Sequence, residues 1–244
     1  MNKCLLLATM LFSAASVAQA QVRFSIGPQA AYNLASVNYS YDNGSATYTT
    51  SYRSGFAAGV TADIGLGHFA IQPAVQFAQK GYNLTTTYPY PSILPNVTNT
   101  QVRLNYLAVP VNVAYTQHRN GQGAQVFAGP YLGVLLGGHY TDETTYSPSF
   151  GKPNTTLSGK VVAAESFTPS FSDENSYSRR VDAGLQFGLG YRYQGLLLQA
   201  TYSLGLTNQA SVEEQLPGGS SYASPTYHNR AFQLSLAYLF GANH

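Results

Sequence analysis

Between residues 177 and 240, polar and apolar side chains alternate almost without a break. Leu196, Leu198, Ala200, Tyr202, Leu204 and Leu206 share one parity, and Gln199, Thr201, Ser203 and Gly205 the other. Phe232, Leu234, Leu236, Tyr238 and Phe240 repeat the pattern against Gln233, Ser235 and Ala237. A period of two places successive side chains on opposite faces of a strand. Runs this long exceed the roughly 5–6 residues of an ordinary strand and match the roughly 9–11 that cross a bilayer at a tilt. The apolar parity is then expected to meet lipid, and the polar parity an enclosed lumen.

The same pattern along the chain predicts an all-β, transmembrane, antiparallel up-and-down β-barrel of about eight strands. They are read near 22–41, 46–64, 68–84, 101–117, 124–140, 176–193, 195–209 and 227–240. Gly65-Leu66-Gly67, the His118–Gly123 stretch and Gln194-Gly195 read as short periplasmic turns, and 85–100, 141–175 and 210–226 as long external loops. Asn43-Gly44 reads as a hairpin turn joining the first two strands outside the membrane. The fifth strand is apolar or glycine on both faces and carries no orientation. Its Gly129, Gly133, Gly137 and Gly138 are expected to receive bulky lumen side chains. Pro28, Pro73, Pro110 and Pro130 fall inside strands, where each deletes a ladder hydrogen bond, so local bulges are expected there. The 141–175 loop is long enough to hold another hairpin, such as Gly159–Ala164 pairing with Ser166–Phe171, and one projecting outside fits better than two more membrane strands.

Composition sharpens this picture. Only 9% of residues are charged, against roughly 25% in soluble proteins, while the chain carries 20 Tyr, 12 Phe and 23 Gly. Residues 1–20 read as an export signal: Lys3, then the apolar Leu5–Phe12, then Ala18-Gln19-Ala20 before a cut ahead of Gln21. Residues 21–244 form the barrel domain in this reading. Cys4, the single cysteine, would leave with the signal. The net charge of +2 and scattered basic residues give no basis for nucleic-acid binding. The chain is thus expected in the outer membrane of a Gram-negative bacterium, inserted by the barrel assembly machinery.

Five segments in order carry a resemblance. They are Ala70-Ile71-Gln72-Pro73-Ala74-Val75-Gln76-Phe77-Ala78-Gln79-Lys80-Gly81, Leu104-Asn105-Tyr106-Leu107-Ala108-Val109-Pro110-Val111, Ala128-Gly129-Pro130-Tyr131-Leu132-Gly133, Tyr202-Ser203-Leu204-Gly205-Leu206-Thr207-Asn208 and Asn229-Arg230-Ala231-Phe232-Gln233-Leu234. Together they resemble the PorT-like family of small outer-membrane barrels of Bacteroidetes. The resemblance implies a membrane barrel without catalytic residues, and its namesake is tied to protein secretion. That family often carries an acid where Ala74 and Ala108 stand here, which implies a less charged lumen.

Candidate chemistry divides between inside and outside. Gln29, Gln72, Gln76, Lys80, Asp182, Gln186, Arg192, Gln199 and Gln233 are expected to fill the lumen with a hydrogen-bonded network. Arg53, Lys80, Arg103, Arg179, Arg180 and Arg230 fall near external strand ends, where a cation ring would face lipopolysaccharide phosphates; the alternative turns some inward to pair with Asp63 or Asp182. Phe24, Phe69, Tyr115, Tyr191, Tyr193, Tyr238 and Phe240 read as a periplasmic aromatic girdle. His139, Asp142 and Glu143 could form a hydrolytic cluster but read more simply as a solvated loop. Asp142-Glu143, Asp173-Glu174 and Glu213-Glu214 could bridge divalent cations, but solvation explains them better. No cofactor, metal or catalytic residue is expected. The function expected is a non-enzymatic barrel anchoring surface loops for adhesion, envelope integrity or binding of an envelope or extracellular partner. The alternatives are a narrow pore or secretion-associated component and, more remotely, a hydrolase.

Overall fold

The alternating segments become strands almost wherever they were read. The computed structural model describes residues 22–41, 46–88, 97–146, 153–168, 174–213 and 225–241. The expected export signal and the Asn43-Gly44 turn lie outside these residues. The elements are β1 (Arg23–Ser40), β2 (Thr47–Leu66), β3 (Phe69–Thr87), β4 (Val97–Thr116), β5 (Gly123–Thr145), β6 (Thr155–Ala163), β7 (Ser166–Phe167), β8 (Ser176–Ser178), β9 (Val181–Tyr193), β10 (Leu196–Gly205), β11 (Val212–Glu213), β12 (Thr226–Tyr238) and β13 (Phe240–Gly241). Eight of them close a ring in the order β1-β2-β3-β4-β5-β9-β10-β12, and β12 returns to pair with β1. Every pairing around the ring is antiparallel. Closure leaves no sheet edge in the hydrocarbon, the condition for a strand structure to cross it.

One end of the ring is tightly turned. Gly67-His68 joins β2 to β3 with Gly67 at φ +59°, and Gln194-Gly195 joins β9 to β10 with Gln194 at φ 54°. At the other end the strands outrun their sequence reading. Thr85–Thr87 pair with Val97–Asn99, so the ladder runs into both ends of the segment read as the 85–100 loop. These segments lack apolar alternation, which is why the pattern missed them. Their threonine content nevertheless favours extended backbone.

On β4 the outward parity runs Tyr115, Val113, Val111, Val109, Leu107 and then Asn105, Arg103, Gln101, Asn99. The inward parity changes in the opposite sense: Thr116 and Asn112 lie low, while Tyr106, Leu104 and Val102 lie high and buried. β3 switches at the same level, from Phe69, Ile71, Val75 and Phe77 outward to Gln79, Asn83 and Thr85. Below this boundary the barrel is apolar outside and polar inside. Above it the wall is polar outside and packs an inner core of Val37, Tyr82, Val102, Leu104, Tyr106, Leu135, Tyr140, Val161 and Tyr227.

β5 explains its own ambiguity. Phe127, Tyr131 and Leu135 point inward at odd positions, but Tyr140 does so at an even one. Between them Asn105 pairs with Gly137 and Tyr106 with Leu135, a one-residue bulge with Gly137 at φ +139°. There β5 also exchanges partners, leaving β9 beyond Val134 and pairing with β6 from Gly138. The expected external hairpin is therefore formed differently: Gly159 and Val161 pair with Tyr140 and Gly138. Ser166-Phe167 instead pairs in parallel with β11. Residues 169–171, the rest of the expected return strand, lie outside the described residues.

Expected bulges at the prolines are corrected as well. The two register shifts lie at Tyr52/Ala57 and Asn105/Tyr106, away from all four prolines. At each proline, pairing lapses on one side and resumes in register. Pro28 keeps its pairing with Val60 while the β12 side breaks at Leu239. Pro130 keeps Leu185 while the β4 side lapses. A proline removes one donor, which points at one neighbour only, so no inserted residue is needed. The 176–193 strand is also divided, with a bend at Arg179-Arg180 separating β8 from β9.

Candidate functional site

Parity sends one set of polar side chains into the ring, where they stack in two layers. Near the turn end, Asp63 on β2 accepts from Arg192 Nη1 at 3.2 Å and from Gln72 Nε2 at 2.7 Å. Arg192 also donates to Ser25 Oγ at 3.0 Å, and Gln199 to Gln72 Oε1 at 3.0 Å. Gln72 reaches Gln125 Oε1 at 3.1 Å. Arg192 and Asp63 are both almost fully buried, so the pair spans the lumen away from water.

The second layer centres on Asp182 of β9, whose side chain is 0% exposed. Its Oδ2 accepts from Lys80 Nζ at 2.9 Å and Asn229 Nδ2 at 3.0 Å, and its Oδ1 from the Tyr131 hydroxyl at 3.3 Å. Lys80 lies 4.6 Å from the Tyr131 ring centroid and 5.4 Å from that of Tyr106, so two π-faces flank the ammonium. Gln186 donates to Asn112 at 2.8 Å between the layers. Gln76 and Gln233 line a residual chamber of about 20 Å3, and Gln29 lies half-buried on the same inner face. That chamber has room for about one water. Of the β5 glycines, Gly133 meets the Tyr106 ring, but Phe127 and Tyr131 lie instead over Gly188 and Gly184 of β9.

Lys80 leaves the expected external ring, since its parity is that of Gln72 and Gln76 and its charge is spent on Asp182. The remaining cations of that ring are outside. The bulge in β2 swings Arg53 onto the outer wall, where Nη1 donates to Asn83 Oδ1 at 3.2 Å and Gln101 Oε1 at 2.9 Å. Arg103 is exposed beside it. Arg230 lies 5.5 Å from the Tyr52 ring centroid. Arg179 stands 3.7 Å from Glu165, both partly in solvent, and Arg180 is exposed at the bend. All seven residues of the expected periplasmic girdle are exposed on the wall near the turn end, with Phe69 packed edge-on to Tyr115 and Tyr238 to Phe240. A second aromatic group, Tyr52, Phe232, Tyr202 and Phe187, is packed ring to ring just below the polarity boundary.

Residues 18–211 match the family described as the outer membrane protein beta-barrel domain. The chain belongs to that family. No curated protein matches it. Among solved structures it is similar to the attachment invasion locus protein Ail of Yersinia pestis, at 11% identity over 88% of this chain and 98% of that one, TM-score 0.42. It is similar also to the outer membrane protein OprG of Pseudomonas aeruginosa, at 9% identity over 91% and 98%, TM-score 0.39. Neisserial surface protein A stands at 12% identity over 89% and 97%, TM-score 0.37.

In this outer-membrane barrel the residues weighed as a hydrolytic cluster do not converge. Beyond the β5 bulge odd positions face out, so His139 and Glu143 are exposed while Asp142 turns inward. Burial raises the Asp142 pKa above its ordinary value, against a hydrogen bond from Thr100. Among the described residues no three His, Cys, Asp or Glu side chains gather as metal ligands. Asp173 and Glu214, from two of the acidic pairs, lie outside the described residues. Sequence reasoning missed Tyr106, Tyr131 and Asn229 as partners of the Lys80–Asp182 pair. They are aromatic or weakly polar side chains of inward parity, a signal present on β4 and β12 for Tyr106 and Asn229 but readable for Tyr131 only once β5 is oriented.

Proposed function

We propose that the barrel is a closed, non-conducting and non-enzymatic scaffold that displays its external ladders at the cell surface for adhesion, envelope integrity or partner binding. The observation that carries this is the successive closure of the lumen. The Asp63–Arg192 layer blocks the lumen within the hydrocarbon zone, the Lys80–Asp182 layer blocks it at the polarity boundary, and the apolar core of Tyr82, Leu104, Tyr140 and Tyr227 fills the projecting part above. A solute would have to break buried ion pairs and then pass through a packed core. The mature barrel reconstituted in planar bilayers is expected to give no steady channel; sustained conductance at roughly the nanosiemens scale, as expected of a water-filled lumen, would overturn the proposal.

The export signal belongs to this reading: cleavage after Ala20 would leave Gln21 as the first residue, which N-terminal sequencing of the membrane-extracted protein would test. A second reading rests on the five PorT-like segments, which favour a secretion-associated role for this fold. Capture of export components, with loss of that capture on trimming the β5–β6 ladder, would favour it.

A further inference from the structure

A row of basic side chains follows one line of paired positions across the outer wall, climbing away from the membrane from β2 to β6 because the strands are tilted. Gly81 on β3 pairs with Arg103 on β4, Arg103 with His139 on β5, and His139 with Lys160 on β6. Arg53 joins the row from β2 by lying over Gly81, where an added methyl would come within 3.0 Å of its Cδ. Only a missing side chain leaves that path open. Arg53 and Arg103, brought together over Gly81, carry like charge, which is unfavourable between neighbouring strands. Among the described residues, no acid forms an ion pair with Arg53, Arg103, His139 or Lys160. Glu143 lies on the same wall further from the membrane, and Asp142 faces inward. Burial, and then the Arg103 charge, lowers the Arg53 pKa.

The height of Arg53 and Arg103 gives the missing anion its identity. Directly beneath them the wall turns apolar at Phe77 and Leu107, and above them stand Asn83, Asn99 and Gln101. This is the depth of lipid headgroups. A polar hollow of about 450 Å3 opens there between Arg53 and Arg103, lined also by Asn83, Asn99 and Gln101, with Glu143 on its side away from the membrane and not ion-paired to either guanidinium. On the opposite wall the chain presents Leu204 and Leu206. We infer that the β2–β6 wall carries a binding site for the phosphate group of an outer-leaflet glycolipid, with Arg53 and Arg103 clasping the phosphate and His139 and Lys160 extending the site along the sugar. Guanidinium forks match phosphate oxygens in geometry and charge. The inference rests on the membrane orientation of the barrel, not on whether its lumen conducts.

The test uses the full mature barrel in detergent, titrated with a bis-phosphorylated glycolipid, its enzymatically dephosphorylated form and inorganic phosphate, with native mass spectrometry as readout. Wild type should retain the phosphorylated lipid, and the Arg53→Gln/Arg103→Gln variant should bind it at least roughly tenfold more weakly, as expected for losing charge-assisted bonds. Arg103→Glu, at an exposed position that does not threaten folding, should abolish retention. Heat-modifiable gel mobility reports that each variant is folded. Equal binding of the dephosphorylated lipid, or an equal loss on Arg179→Gln/Arg180→Gln, would overturn the site in favour of diffuse attraction. Displacement by inorganic phosphate at the lipid's own concentration would show a free-phosphate site and overturn the glycolipid assignment.

Discussion

Replacing Lys80 with Met tests whether the lumen is held by its central pair. The substitution preserves length and apolar bulk but leaves the Asp182 carboxylate without a cation. Removing one partner of a buried ion pair costs about 3–5 kcal/mol. The site supports the lower end, because Asn229 and Tyr131 still donate to Asp182 at 3.0 and 3.3 Å. A loss of about 3 kcal/mol is expected. The companion variant Lys80→Met/Asp182→Asn removes the charge as well and should recover most of it, since burying a neutral amide among the same donors costs far less. Adding the Asp182→Asn single variant closes the cycle and isolates the coupling. The chain has no tryptophan, so urea unfolding in vesicles would be followed by tyrosine fluorescence and heat-modifiable gel mobility. A single variant within 1 kcal/mol of wild type, as expected of an exposed pair, would refute the argument, as would a double variant as unstable as the single.

Asp142→Asn should stabilise the projecting β5–β6 ladder at neutral pH by about 1 kcal/mol, because Asp142 Oδ1 is buried without a hydrogen-bond partner. Burial raises the folded-state pKa, so the penalty appears as pH rises through that value and is absent below the unfolded value of 3.8. Hydrogen exchange of residues 138–145 should therefore separate variant from wild type at pH 7 and not below about pH 4. Gly137→Val forces a branched side chain onto φ +139° and should cost about 1–3 kcal/mol, visible as a lower gel-shift temperature; no change would mean that the bulge relocates freely.

The strand number and lipid-facing parity were legible because hydrocarbon imposes one rule on every crossing strand. Leu196 to Leu206 and Phe232 to Phe240 obey it with no competing demand. Lys80 was legible too: it shares parity with Gln72 and Gln76, and that alone places it inside. β5 was not legible, since a bulge at Gly137 reverses parity and glycines on both faces hide the reversal. Nor was the partner of β6, because extended threonine-rich segments can pair with any free edge, and the edge was set by where β5 parted from β9. The basic row was legible only in part: Arg53 and Arg103 were read at external strand ends, but His139 and Lys160 were not joined to them. Arg53, Arg103, His139 and Lys160 are far apart in sequence, and register alone brings three of them opposite one another.

The exchange of polarity along β4 fixes the barrel's depth more closely than any aromatic girdle does. Backbone geometry is continuous from Tyr115 to Val97, and side chains keep strict alternation, yet the bulky apolar residues change from odd to even positions between Leu107 and Asn105, the even positions below being small or polar (Ala108, Pro110, Asn112, Ala114, Thr116). A strand in a single solvent has no cause for this, because one face would remain the buried one. Two different outer solvents require it: hydrocarbon outside one stretch, and water outside the next, where the inner face must become the core. Depth-dependent substitution follows directly. Arginine at the outward Val111, mid-belt, should cost about 2–4 kcal/mol, whereas arginine at Asn105 should cost about 0–1 kcal/mol. The inner neighbour should respond in reverse, so that Leu104→Ala in the projecting core costs about 2–5 kcal/mol. Equal costs for Val111→Arg and Asn105→Arg in lipid vesicles would mean that no membrane boundary lies between them, and the two-solvent account of this strand would fail.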